Sequence, residues 1–222
     1  MDNIPQSKLR LSEYIQLQQL KALAAEFAIS IQTCKYLGLS YGKMGVVIFL
    51  FHYARQIQDA LLEDKAVELL SEIQNSLHVD LPLGYAIGLS GIGAGIEYLA
   101  QQDFIRVDID DFQEDFDKQF IKQIHNRKLY LSTQDLTGMK RYFSARLENP
   151  ETKKRDFLHA TMDELLSLLD LHYKLSVTFE ELPKWHLNPD DPENWGIEGR
   201  AGKGLTILTT LNPQHNTWLK LR

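Results

Sequence analysis

Four short segments, each closing on a glycine and leading into apolar residues, constrain the fold more than any other feature of the chain. They are Gly42-Lys43-Met44-Gly45, Gly88-Leu89-Ser90-Gly91, Asp135-Leu136-Thr137-Gly138 and Gly199-Arg200-Ala201-Gly202. Their last glycines stand 46, 47 and 64 residues apart. A period in the forties that holds two helical stretches marks a helical repeat, in which each unit buries its apolar face only by stacking on its neighbours. The longer third interval contains 182–195, whose three prolines and cluster of acids predict an exposed insertion loop.

The hydrophobic periodicity between these points is helical. From Ser12 to about Ile31 the apolar residues recur at steps of three and four, predicting an amphipathic first helix. Residues 43–59 are apolar nearly all round and suit a helix buried on most sides, while 64–78 are amphipathic. The alternation repeats in 88–100 with 108–124 and in 135–147 with 157–175, and 199–211 supplies a fourth buried arm. The expected fold is all-α: one domain over 1–222 built of repeated helical hairpins starting near 42, 88, 135 and 199. Glycine inside a helix costs about 1 kcal/mol against alanine, so its recurrence needs a cause. Either the turn entering each helix takes a positive φ, or neighbouring inner helices approach too closely for a side chain.

Composition narrows the function. The 222 residues carry 24 Lys and Arg against 30 Asp and Glu, a net charge of -6, with no dense basic run, which argues against nucleic acid as a partner. The chain shows no leader-like start and no stretch of eighteen apolar residues, so a cytoplasmic protein that does not enter a membrane is expected. A single cysteine, Cys34, forbids an intrachain disulfide and a zinc site with two thiolates. It is read as a small buried apolar residue.

Most chemical motifs fail on spacing. Residues 196–206 imitate a phosphate loop, but Ile197 takes its first glycine position and Gly204 its hydroxyl position. The glycines of 88–95 lie at relative positions 1, 4, 6 and 8, which is not the dinucleotide fingerprint. The acids between Asp108 and Asp117 lack the glycine of a calcium loop and read as a solvated helix face. Seven dispersed histidines form no local zinc motif, and His52, within an apolar helix, reads as a hydrogen-bonded core residue. No metal and no other cofactor is expected.

Five polar residues beside the glycine turns are the cavity candidates: Tyr41, Lys43, Asp135, Glu198 and Arg200. Convergent helix N-termini would present free N–H groups and positive dipole ends, favouring an anionic or carboxylate-bearing ligand. The alternative is that these side chains cap turns and pair with one another. If Asp135 and Glu198 faced each other across a cleft, a two-carboxylate hydrolase would follow.

The stretches "GLSYGKMGVVIFLFHYAR", "GYAIGLSGIGAGIEYLA" and "NWGIEGRAGKGLTIL" resemble the repeated inner-helix starts of the lanthionine synthetase C-like (LanC-like) proteins, the cyclases of lanthipeptide maturation. The likeness spans about residues 36–212 and rests on the repeat rather than on one diagnostic string. It implies an α/α toroid whose glycine-rich loops gather around a central cavity. Members that cyclise hold zinc with two cysteines and a histidine. Here Trp195-Gly196-Ile197-Glu198-Gly199 has no cysteine, and the Cys-His-Gly motif has no counterpart, so the zinc-dependent activity is not carried over.

Four repeats, where the family has seven, imply a partial toroid. It would be completed by a second chain in a homodimer, or covered at its open edge by the N-terminal helix and 182–195. The resemblance implies a non-zinc member bound to a precursor peptide or a peptide-maturation enzyme. The competing expectations are a carboxylate-dependent hydrolase or glycosidase of toroid type and a structural subunit of a complex.

Overall fold

A computed structural model describes residues 6–77, 81–127, 131–175 and 194–222. Among them there is no strand; the chain is all-α. The helices are α1 (Gln6–Ser30), α2 (Lys43–Ile57), α3 (Ala60–Asn75), α4 (Leu89–Gln101), the single turn α5 (Ile109–Phe112), α6 (Glu114–Arg127), α7 (Thr133–Glu148), α8 (Arg155–Leu175) and α9 (Arg200–Leu211). A 3-10 helix, Pro213–Leu221, follows α9. No described helix is long and apolar enough to cross a membrane.

The four glycine-associated helices stand side by side in the order α9, α2, α4, α7, so the last repeat abuts the first. Helix α2 is buried continuously from Met44 to Ala54, and α4 from Leu89 to Leu99, as expected of helices covered on most sides. Two antiparallel returns are plain hairpins, α2 with α3 and α7 with α8. The other two differ from the expected unit. The return from α4 breaks at Gln113 into α5 and α6, and the Gln113 side chain turns inward there and donates to the Gly93 carbonyl at 2.9 Å. The return from α9 is the 3-10 helix, which packs along α9 and α4. Helix α1 covers α9.

Local signals set the helix starts. Asp59 caps α3 by accepting from the Leu61 and Leu62 amides, and Ser132 and Asp135 form a reciprocal capping box at α7. Helix α7 therefore begins at Thr133, and Gly138 lies a turn further into its helix than Gly45, Gly91 and Gly202 do in theirs. Residues 182–193 of the expected insertion loop lie outside the described residues. Asn194 and Trp195, at its end, are buried rather than exposed.

The glycines of the four repeated segments answer to close approach alone. None of the described glycines has a positive φ, which removes the conformational half of the expectation. A Cβ on Gly38 would sit 2.3 Å from the Ile87 carbonyl carbon, and one on Gly196 would sit 2.4 Å from the carbonyl carbon of Ser40. Both glycines lie where one turn segment rests directly on the backbone of another.

The acids of 108–117 require a correction. Asp110 and Asp117 are buried, not solvated, and with Glu97 they surround the fully buried guanidinium of Arg146. Arg146 donates to Glu97 at 3.0 Å, Asp110 at 2.9 Å and Asp117 at 3.0 Å. The Tyr142 hydroxyl donates to Asp117 at 2.7 Å, and Asn149 donates to Glu97 at 2.8 Å. Burial holds the Glu97 and Asp117 carboxyls above their usual range, partly offset by Asn149 and Arg146 at Glu97 and by Arg146 and Tyr142 at Asp117. This network ties α4, α5, α6 and α7 together.

Candidate functional site

The turn segments 36–42, 82–88 and 194–199 enter α2, α4 and α9 by one shared device. The first two helical amides donate backwards to carbonyls of the entering turn: Lys43 and Met44 to Tyr36 and Leu37, Leu89 and Ser90 to Pro82 and Leu83, Arg200 and Ala201 to Asn194 and Trp195, at 2.8–3.2 Å. These N–H groups are thereby satisfied within the fold. The expectation that convergent helix ends offer free amides to an anion is corrected on this ground.

The segments also dock on one another through backbone. The amides of Gly38, Ser40 and Tyr41 donate to the Ile87 and Ala86 carbonyls, while the Leu39 and Ser40 carbonyls accept from Ile197 and Glu198. The segment 36–42 is the central member. Its docking leaves a cleft of about 520 Å³ between itself, 82–88 and the start of α7. Tyr36, Tyr41, Pro82, Tyr85 and Ile87 give it an aromatic and apolar wall, and Thr133, Asp135 and Arg141 of α7 a polar one. Burial, and secondarily the charge of Glu198, hold the Tyr41 phenol above its usual pKa, so Tyr41 is a hydroxyl donor at neutral pH.

Of the five sequence candidates, Tyr41 and Asp135 meet in this cleft. Asp135 is already committed, its Oδ2 accepting from the Ser132 amide at 3.2 Å and hydroxyl at 2.7 Å. The other three line neither this cleft nor the basic one described below. Lys43 reaches the other way, 3.6 Å from Glu72 of α3. Glu198 is gripped by both arms of Arg222 at 3.2 and 2.9 Å. Arg200 pairs with Glu26 of α1 and lies over the Trp195 ring. The capping-and-pairing alternative describes these side chains, and Asp135 and Glu198 do not form an acid/base pair across one cavity.

The zinc chemistry of the resembled family finds no fit. The turn 194–199 holds no cysteine: Trp195 is followed by Gly196 and by Ile197, which is buried and apolar. Cys34 is buried, its thiol 3.3 Å from the Tyr36 carbonyl. Among the described residues, no three His, Cys, Asp or Glu side chains are grouped to hold a metal ion.

A second cleft of about 330 Å³ lies between α4, α7 and the 3-10 helix, and shares Tyr85, Thr137 and Arg141 with the first. Behind it runs a buried polar chain that the sequence showed only as His52. His52 Nε2 is 2.5 Å from the Tyr98 hydroxyl, which is 2.8 Å from Thr217 Oγ1. His52 Nδ1 is 2.8 Å from His215 Nδ1, and His215 Nε2 is 3.0 Å from Gln56 Oε1. Gln56 Oε1 also accepts from Asn212, which fixes the amide orientation. Since that oxygen only accepts, His215 Nε2 carries a proton. Neutral His215 then accepts at Nδ1 from His52, and neutral His52 accepts at Nε2 from Tyr98. Burial lowers both imidazoles, His52 to about 3, helped by the charges of His215 and Arg55.

Comparison of the chain with protein-family models, with curated proteins and with solved structures finds no match in any of the three.

Proposed function

We propose that the chain is a metal-free, non-catalytic protein of LanC-like architecture, a partial α/α toroid, that binds a precursor peptide or a peptide-maturation enzyme through its glycine-turn face. The observation that carries this reading is the 520 Å³ cleft, whose wall is made by the docked turns and whose aromatic lining comes from Tyr36, Tyr41 and Tyr85. Aromatic rings with polar tips supply contact area at low conformational cost, and a cleft of this size holds one or two side chains of an extended peptide. The pairing of Lys43, Glu198 and Arg200 supports binding rather than hydrolysis, because those groups are used in holding helices together.

Fluorescence anisotropy with labelled candidate precursor peptides tests the reading. Tyr41→Ala is expected to weaken binding about tenfold, the loss of one buried aromatic contact, while Lys43→Glu, on the opposite side of the turn, leaves it unchanged. Equal loss in both variants, with folding retained, would contradict the assignment to this cleft.

A further inference from the structure

The smaller cleft presents four cations, Lys140, Arg141, Lys220 and Arg222, and one carboxylate, Glu148. In a chain of net charge -6 this is a local reversal of sign. Elsewhere Lys43, Lys65, Lys118, Lys153, Lys154, Lys174 and Arg200 each meet a carboxylate, while Arg55 and Arg155 meet backbone carbonyls and Lys21, Arg106 and Lys122 stand apart from one another. In the cleft only Arg222 does, through Glu198. Lys220 donates to the amide oxygen of Gln101 at 3.1 Å and lies over the Tyr98 ring, and Arg141 lies over the Tyr85 ring, 4.9 Å from its centroid. Among the described residues, Lys140, Arg141 and Lys220 have no carboxylate partner.

The α7 wall is built for a polar occupant. Thr137, Arg141, Ser144 and Glu148 fall at i, i+4, i+7 and i+11, one stripe of the helix, and all line the cleft. An apolar ligand would leave these groups unpaired against it, whereas an oxyanion meets a cation and hydroxyl donors at Thr137, Arg141 and Ser144, with the carboxylate of Glu148 at the far end of the stripe.

The geometry points to an oxyanion subsite in this cleft, formed by Lys140, Arg141 and Lys220, that takes the carboxylate of an acidic residue in the bound peptide. This deepens, and rests on, the peptide-binding reading. The two clefts share Tyr85, Thr137 and Arg141 in their walls, so a peptide with an apolar or aromatic side chain in the larger one would bring a neighbouring acidic side chain to the smaller.

Tyrosine-ring NMR of the full chain separates the two claims, since Tyr98 lines only the basic cleft and Tyr36 and Tyr41 only the aromatic one. The probes are inorganic phosphate, acetyl-Gly-Asp-Gly-amide and its Asn counterpart, at constant ionic strength. Phosphate and the Asp peptide are expected to shift Tyr98 saturably and to compete, and the Asn peptide to leave it unmoved. Lys140→Gln and Lys220→Gln should each weaken both responses about tenfold, the worth of one charge-assisted contact, while Lys174→Gln, on α8, changes neither.

A silent Tyr98 with both anions, an equal response to Asp and Asn peptides, phosphate binding that the Asp peptide does not displace, or lysine variants without effect would each overturn the subsite. Silence of Tyr36 and Tyr41 toward candidate precursor peptides, with Tyr98 responding as expected, would instead count against the peptide-binding reading.

Discussion

His52 and His215 lie with their Nδ1 atoms 2.8 Å apart inside the protein, one proton between them, joining α2 to the 3-10 helix that follows α9. A second proton between them would turn two N–H donors face to face at 2.8 Å and leave a buried imidazolium.

Stability should therefore fall with acid. Both folded-state imidazoles titrate below the ordinary value of 6.5, so between that value and about 3 the unfolded chain binds more protons than the native one. Stability from the pair is fully present above about pH 6.5 and is lost as pH falls, by about 1.4 kcal/mol per pH unit from His52 while it stays neutral. Urea unfolding across pH 7 to 4 checks this: His52→Gln should flatten the acid side of the profile. An unchanged slope would contradict the neutral pair.

Arg146 is the counter-ion of three buried carboxylates, and removing it strands them. Arg146→Leu is expected to cost about 3–5 kcal/mol, a large share of the roughly 5–15 kcal/mol that holds an ordinary domain folded. Asp110→Asn, which keeps the shape and removes one of three negative charges, should cost markedly less. Chemical denaturation of the two variants gives the comparison.

The glycines that separate docked turns should tolerate no side chain. Gly38→Ala would drive a methyl group into the Ile87 carbonyl, and Gly196→Ala into that of Ser40. Each is expected to cost about 1–3 kcal/mol by overpacking. Gly84→Ala, whose added carbon would meet nothing nearer than Asp135 Oδ1 at 3.6 Å, should be close to neutral. Thermal melting of the three variants reads the difference.

Much of this fold is written in hydrophobic period. Helices α2, α4, α7 and α9 begin within two residues of the starts expected from the glycine segments, because a helix buried on most sides must be apolar all round and its neighbours must come close. The same pattern does not say why glycine is there; the absence of a positive φ and backbone contacts such as those of Gly38 and Gly196 decide for close approach.

Charge was less legible. A carboxylate at helical spacing looks the same whether it faces water, as Glu114 half does, or Arg146, as Asp117 does, since the partner lies 29 residues away. The cleft residues Tyr85, Tyr98 and Lys220 meet only through tertiary packing. The α7 stripe of Thr137, Arg141, Ser144 and Glu148, by contrast, was open to view as a polar face at helical steps.

The most direct test of binding at the turn face is hydrogen–deuterium exchange of the full chain with and without a candidate precursor peptide that binds it. The account predicts slowed exchange in 36–42, 82–88 and 132–141, the segments that enclose the aromatic cleft, with α3 and α8 unaffected. Protection confined to α3 or α8, with those three segments unchanged, would contradict it.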